Sequence, residues 1–361
     1  AHPTLLLSRA GSSAVAQAAL DGADGQGDWP APAERDAITL DYEHAEVMQA
    51  MAHAATARDA ITRAALIRAR DSWPEDWLEL DPVPVRLATW VGYDMDGRTD
   101  IAWYTSLRFR LLEKQAVLER YVEQLRDIDA DHKWLVKLAA AAQHTARHAT
   151  AFGEDLSDPS ALSAAANALT ADDPAKLISL APAIADLEAE ARNCAAVDSE
   201  RALDLKVLAA SMRADGLGCG YVHFRVNASQ LHNAIRQRMG GARDLSSRGA
   251  LSTLRTMLAD VQPLDSNFAA LAIESSTAIR QFLAMAQILA HVDGDAPIRM
   301  LIAESEQPAT VLAALYFARL FAIADKVDVS PLFETETALE HGGRLLDALC
   351  AEPEYQAYVK Q

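Results

Sequence analysis

The chain is poor in cysteine, and its few cysteines are widely separated. Only three of its 361 residues are cysteine. Cys194, Cys219 and Cys350 show neither Cys-x-x-Cys nor Cys/His spacing, so the sequence indicates no disulfide framework and no structural zinc site. We expect a cytoplasmic protein, because free thiols suit a reducing compartment.

Positive charge and long apolar runs are also scarce. The chain carries 33 Lys and Arg residues against 51 Asp and Glu residues, a formal net charge of -18. Such a field repels polyanions and anionic membrane surfaces, so we expect neither nucleic acid nor a membrane as a partner. No apolar run approaches the roughly 20 residues that cross a bilayer. Any anionic substrate must therefore be bound by local arginines.

What the chain has in abundance is the helical pattern, with apolar residues recurring every three to four positions. The clearest example, residues 104–128, predicts a buried stripe and places Glu113, Arg120 and Glu123 away from it. The stripe consists of Leu107, Leu111, Leu118 and Leu125. The polar stretch 153–175 predicts an exposed connection. Further helices are predicted at 43–72, 131–151, 174–193, 199–213, 229–240, 247–261, 266–292, 308–323 and 336–350.

Four short segments are rich in branched and aromatic residues and are bounded by Pro, Gly or Asp. They are residues 85–92, 221–228, 298–305 and 327–335. Their apolar character on both faces predicts parallel strands, and the intervening helices predict right-handed crossovers. The fold class is therefore α/β and predominantly helical, with a parallel sheet or barrel whose reactive residues lie at the carboxyl ends of the strands.

Chemically useful residues follow three of these strands. Asp94 and Asp96 lie in a glycine-bounded turn that either is simply capped or binds a cation. Arg225 ends the second strand, where it binds phosphate or carboxylate or pairs with a neighbouring helix. Glu334 follows the fourth strand as a candidate Mg²⁺ ligand or a structural carboxylate. His144 and His148 lie four residues apart without an obvious third ligand, so we interpret them as part of a solvated helix.

Five segments in order resemble the phosphoenolpyruvate carboxylase family. AHPT at 1–4 resembles the family's TAHPTE, and TWVGYDMDGRT at 89–99 resembles SWMGGDRDGNP. VHFRV at 222–226 is similar to IDIRQ, and LIAESEQPATVLAA at 301–314 to VISMAxxxSDVLAV. VSPLFET at 329–335 nearly repeats VVPLFET.

The resemblance implies a fold and a set of roles. It implies an incomplete TIM-type parallel (β/α) barrel with large helical insertions, formed by residues 1–361 with strand ends near 1–4, 85–97, 221–228, 298–305 and 327–335. His2 would be the catalytic histidine and Arg225 would hold the phosphate. Trp90 would line the bicarbonate pocket, Asp94 would also bind substrate, and Glu334 would be one of two carboxylates that bind Mg²⁺ or Mn²⁺. The substrates would be phosphoenolpyruvate and bicarbonate, and the intact protein would be a homotetramer.

The chain also departs from the family's motifs. Leu5 follows HPT in place of an acidic residue, Met95 replaces an arginine, and Ala309-Thr310 replaces Ser-Asp. Either a divergent enzyme has rebuilt the supports of its site, or a non-catalytic scaffold or regulatory subunit keeps the fold. We favour the enzyme, because His2, Trp90, Arg225 and Glu334 are all present.

The first residue is Ala1, and the family motif that supplies the second metal carboxylate would come just after Gln361. We therefore expect the chain to be a fragment of a longer enzyme. Since one protein carboxylate holds Mg²⁺ weakly, we predict that these residues alone neither bind the metal tightly nor turn over substrate.

Overall fold

Helices make up 65% of the residues that the structure describes, and a small parallel sheet lies among them. A computed structural model describes residues 9–22, 38–96, 98, 101–241, 244–295 and 298–360. The helices are α1 Arg9–Leu20, α2 Leu40–Ser72, α3 Trp103–Ile128, α4 Lys133–Ala151, α5 Pro159–Thr170, α6 Ala181–Cys194, α7 Ser199–Asp215, α8 Ala228–Arg238, α9 Arg248–Asp260, α10 Phe268–Ile273, α11 Thr277–His291, α12 Pro308–Leu320, α13 Glu336–Cys350 and α14 Pro353–Val359.

The sheet contains the four predicted strands in chain order, and every neighbouring pair is parallel. The strands are β1 Ala88–Thr89, β2 Tyr221–Asn227, β3 Ile298–Ala303 and β4 Val327–Pro331. Helices cross over between successive strands, as parallel pairing requires. The predominantly helical α/β class is therefore confirmed, whereas closure of the sheet into a TIM barrel stays a prediction. The predicted strand end at 1–4 lies outside the described residues.

β1 is much shorter than the predicted segment because the chain leaves the sheet after Thr89. A turn follows, closed by the hydrogen bond from the Tyr93 N–H to the Trp90 carbonyl, and its Gly92 has a φ of +88° and packs against the Phe109 ring. The chain then rejoins the sheet, where Asp94 pairs with Arg225. We call residues 90–92 the β1 excursion.

Two apolar clusters surround this framework. One packs α8, α11 and α12 against the sheet and contains the alternate β2 residues Val222, Phe224 and Val226. The other joins α2, α3, α4, α6 and α7. The remaining β2 residues are only partly buried, so the prediction of a sheet equally covered on both faces is wrong for this strand. The half-open face carries Arg225.

The leucine stripe of α3 is confirmed, since all four leucines are buried. The outward placement of Glu113 was wrong, because its carboxylate is fully buried in ion pairs with His44 of α2 and with Arg110 of α3 itself. Arg120 is partly buried against Asp215, and Glu123 is exposed as predicted. The apolar pattern of α3 predicts that these charged residues face solvent. Because α3 is covered on two sides, some of them are buried instead.

Two further predictions are corrected by local capping. The stretch 153–175 is not a plain connection, because Asp158 caps α5 with Pro159 in its first turn. Residues 266–292 do not form one helix, since the chain breaks after α10 and Ser276 caps α11. His144 and His148 are buried rather than solvated, and their Nε2 atoms lie 3.2 Å apart.

Candidate functional site

The carboxyl ends of β1, β2 and β4 bring three of the predicted site residues together. Beyond the β1 excursion, the backbone N–H of Met95 donates to the Arg225 carbonyl at 3.0 Å, and the Arg225 N–H donates to the Tyr93 carbonyl at 3.1 Å. This pairing fixes Asp94 beside Arg225. Arg225 in turn contacts Glu334, which follows β4. We call Asp94, Asp96, Arg225 and Glu334 the strand-end cluster.

Arg225 lies between two carboxylates at the centre of this cluster. Its Nη2 atom donates to Glu334 Oε2 at 3.0 Å and to Oε1 at 3.3 Å. Its Nε atom lies 3.6 Å from Asp96 Oδ2. The side chain remains 30% exposed, so the guanidinium is oriented by the protein but still reaches solvent. An arginine in this position can exchange a carboxylate partner for a bound phosphate.

Glu334 is held at the junction between β4 and α13. Its Oε1 accepts a hydrogen bond from the Glu304 backbone N–H at 3.3 Å, and Glu304 itself adopts a φ of +56°. The next residue, Thr335, caps α13 and donates its hydroxyl hydrogen to Glu306 Oε1 at 2.7 Å. The carboxylates of Glu334 and Glu306 therefore lie at neighbouring strand ends, and of these two Glu334 is the one that contacts Arg225.

Asp94 and Asp96 form a capped turn, which is the structural alternative considered for this motif. Asp94 Oδ1 accepts from the Asp96 backbone N–H at 3.0 Å. Asn227 donates from Nδ2 to Asp96 Oδ1 at 3.3 Å and also caps α8. Partial burial raises the pKa of Asp94, although the Asp96 N–H and the Arg225 charge oppose that shift. A carboxyl group with a raised pKa at a strand end is suited to exchange protons.

Trp90 lies in the β1 excursion with 41% of its surface exposed. The excursion is anchored by two hydrogen bonds, from Ser106 Oγ to the Gly92 carbonyl at 2.6 Å and from the Val91 N–H to Thr89 Oγ1 at 3.2 Å. The indole therefore lies at the same sheet edge as the strand-end cluster, on a turn whose backbone is fixed. His2 lies outside the described residues.

A set of residues that sequence reasoning missed supports this turn from behind. Tyr93 is fully buried and donates its hydroxyl hydrogen to Glu113 Oε1 at 2.9 Å. Glu113 also accepts from Arg110 Nη1 at 2.9 Å, and Arg110 Nη2 donates to Asp293 Oδ2 at 2.6 Å. We call Tyr93, Arg110, Glu113 and Asp293 the buried network. Three charged residues within five positions of an apolar helix, at 110–114, were the available signal.

The donor set fits a metal only in part. Glu334 is an oxygen ligand of the type that Mg²⁺ prefers, but its carboxylate is engaged with Arg225. Among the described residues, no group of three or more His, Cys, Asp or Glu side chains could hold a metal ion. His144 and His148 likewise have no third ligand among those residues. The described residues therefore offer one candidate ligand rather than a complete metal centre.

Comparison with known proteins identifies a family. A family model described as phosphoenolpyruvate carboxylase matches residues 160–361, which is more than half of the chain. The matched region contains β2, β3 and β4 together with Arg225 and Glu334. Comparison with curated proteins gives no match. Within the described residues, no helix is long and apolar enough to pass through a bilayer.

Proposed function

Since the chain belongs to the phosphoenolpyruvate carboxylase family, we propose that it supplies part of the active site of a lyase. In the proposed reaction, bicarbonate and phosphoenolpyruvate yield oxaloacetate and phosphate. Phosphate passes first from phosphoenolpyruvate to bicarbonate, which produces carboxyphosphate and an enolate, and the enolate carbon is then carboxylated. The substrates are therefore two small anions, and the site must bind them against the chain's net charge of -18.

The observation that carries this proposal is the placement of Arg225. Its guanidinium is aimed by Asp96 and Glu334 at the carboxyl edge of a parallel sheet, where ligands bind in folds of this class. A phosphate oxygen entering the cluster would take over one or both hydrogen bonds that Glu334 now accepts. Bidentate arginine–phosphate contacts are strong and oriented, so Arg225 would both attract the substrate and fix its phosphorus.

The other roles follow from the positions of the side chains. Trp90 would provide an apolar wall that limits water beside carboxyphosphate and the enolate. Asp94, with its raised pKa, would exchange a proton or a hydrogen bond with bicarbonate. His2 would handle a proton during carboxylation, as an imidazole that titrates near neutrality can.

A divalent cation, Mg²⁺ or Mn²⁺, would stabilise the enolate oxygen when bound. Glu334 would provide one ligand, and one carboxylate alone holds such an ion weakly. We therefore assign no step to the metal on the described residues, and we expect the 361 residues by themselves to bind it weakly and to turn over little or no substrate. For the intact enzyme we propose a cytoplasmic location and a homotetrameric assembly.

One observation favours a second function, that of a non-catalytic scaffold. The charges of the strand-end cluster already offset one another, since Arg225 lies within ion-pair distance of Asp96 and Glu334, although its Nε makes no hydrogen bond among the described residues. These ion pairs would keep the sheet edge intact without any ligand. The two functions differ in whether Arg225 releases Glu334 when phosphoenolpyruvate is offered.

Calorimetric titration of phosphoenolpyruvate into the 361-residue chain tests the proposal. We expect binding that weakens about tenfold or more in Arg225→Gln, because a charge-assisted hydrogen bond is lost. The matched control is Arg299→Gln, since Arg299 is a similarly exposed arginine on β3 that pairs with Asp328 instead. Binding that is unchanged in Arg225→Gln would refute the assignment, and failure of the unaltered chain to bind would support the scaffold.

A further inference from the structure

A cavity lies beside Met95, the residue between Asp94 and Asp96 of the strand-end cluster. Met95 is buried between the partly exposed Asp94 and Asp96, and neighbouring residues of an extended chain face opposite ways. The cavity has a volume of about 230 Å³ and lies between the start of α3 and the first two turns of α11. Trp103 and Ala284 contribute apolar walls, and Arg98, Arg280 and Gln281 contribute polar atoms.

Gln281 is the feature that identifies this cavity as a binding site. Its side chain is only 2% exposed, yet neither Nε2 nor Oε1 has a hydrogen-bond partner among the described residues. Leaving a buried polar atom unpaired costs about 1–3 kcal/mol, so native proteins seldom leave an entire amide unsatisfied. The amide lines the cavity and needs one donor and one acceptor from whatever occupies it.

Gln287, on the same helix, shows the usual condition of a buried amide. It is equally buried, and its Nε2 donates to Ser266 Oγ at 3.1 Å, so only Oε1 lacks a partner. Gln287 does not line the cavity. The contrast within one helix shows that the fold can satisfy a glutamine at least in part where no ligand is required.

The charges around the cavity select an anion. Arg280 is held by the Glu274 carbonyl, to which its Nε donates at 2.9 Å, and Arg98 Nη1 lies 3.4 Å from Glu43 Oε2. No acidic side chain lines the cavity among the described residues, although the chain as a whole is strongly acidic. The lining residues of α11 also belong to its N-terminal turns, where the helix dipole favours negative charge.

We propose that this cavity binds a small organic carboxylate that carries an uncharged amide-like group at its other end. The carboxylate faces the arginines, and the amide exchanges two hydrogen bonds with Gln281. A volume of about 230 Å³ lies below the roughly 300–1,000 Å³ of pockets for drug-sized ligands, so the ligand has only a few carbon atoms. The apolar walls at Trp103 and Ala284 contact its methylene groups.

Three four-carbon probes of matched size test this proposal by calorimetric titration into the 361-residue chain. Succinamate has one carboxylate and one amide, succinamide has two amides, and succinate has two carboxylates. We expect succinamate to bind most tightly, about tenfold or more above succinamide, because the arginines recognise its charge. Succinate should be intermediate, since its second carboxylate can only accept from Gln281.

Variants separate binding from folding. Gln281→Leu should weaken succinamate about tenfold or more without lowering the melting temperature, because leucine removes an unpaired buried amide. Gln287→Leu is the matched control and should leave succinamate affinity within about twofold. If Gln281→Leu fails to fold, Ala284→Leu should fill the cavity and abolish binding. Equal affinity for succinamate and succinamide, undiminished binding by these cavity variants, or no binding by the unaltered chain would overturn the proposal.

Discussion

Two arginines in this chain have the same kind of neighbours and opposite environments. Arg110 lies between Glu113 and Asp293 with no exposed surface, and Arg225 lies between Asp96 and Glu334 with almost a third of its side chain exposed. The buried triad joins α3 to the loop after α11. The exposed triad joins the ends of three strands.

An arginine between two carboxylates can therefore stabilise the fold when it is buried, or bind a ligand when it is exposed. Arg110 has no exposed surface, so a ligand cannot displace its two carboxylates, which balance a buried charge and, through Glu113, hold Tyr93. Arg225 makes similar contacts in partial contact with water, where an ion pair is weak and a phosphate can displace it. The first triad fixes Tyr93, and Tyr93 precedes the residues of the second.

The largest effect on stability is expected when the buried charge of Arg110 is removed. Arg110→Met should lower the free energy of unfolding by about 3–5 kcal/mol, since it leaves the buried Asp293 without its arginine and Glu113 with only the His44 ring and the Tyr93 hydroxyl as partners. Urea unfolding at neutral pH measures this loss. Arg225→Met is the control and should cost less than about 1 kcal/mol. Equal losses in the two variants would show that burial does not distinguish the triads.

A smaller effect concerns Lys114, which is buried next to the first triad. Desolvation, aided by the Arg110 charge and opposed by Asp293, lowers the pKa of Lys114 from 10.5 to about 8. Between those values the unfolded chain binds more protons than the folded one, so this group makes the protein more stable as pH rises. We expect a gain of about 1–2 kcal/mol between pH 7 and pH 9.5.

Unfolding free energies at the two pH values, for the unaltered chain and for Lys114→Met, measure that gain. The variant lacks the titrating amine, so its stability should rise less over the same interval. Parallel changes in both proteins would mean that the lysine keeps its ordinary pKa despite its burial.

The smallest expected effect lies in the exposed triad itself. A double-mutant cycle with Arg225→Gln and Glu334→Gln should give a coupling below about 1 kcal/mol, and the coupling should fall as salt is added. Such a value would mean that little opposes exchange of Glu334 for a ligand. A coupling of several kcal/mol that is insensitive to salt would place this pair with the buried triad instead.

Much of the fold could be predicted because its signals are local. Strands β2, β3 and β4 are short apolar runs between helical repeats, and their limits were predicted to within a few residues. α5 was missed because its start depends on a cap at Asp158 inside a stretch whose composition resembles a loop. The burial of Glu113 could not be predicted, because its partners include His44 and Arg110, and Arg110 also needs Asp293 from a distant part of the sequence.

The candidate site shows the same limit. Position at a strand end singled out Arg225 and Glu334, since parallel strands bring their carboxyl ends to one edge. That these two side chains contact each other depends on the lateral order of the strands and on the conformation of the chain after β4. Neither the strand order nor this conformation can be predicted from a local sequence pattern. The cavity beside Gln281 was not predicted at all, because it depends on the packing of α11 against Met95 and the start of α3.

The β1 excursion has a consequence for changes in chain length. From Thr89 to Asp94 the first strand advances five positions, whereas its neighbour advances three from Val222 to Arg225. The surplus of two residues keeps the alternation of faces in phase. Deletion of one residue from the excursion would turn Asp94 and Asp96 toward the core and Met95 toward Arg225, while removal of two would preserve their orientation. At this edge, a length change of two residues therefore keeps the facing of Asp94 and Asp96, whereas a change of one residue reverses it.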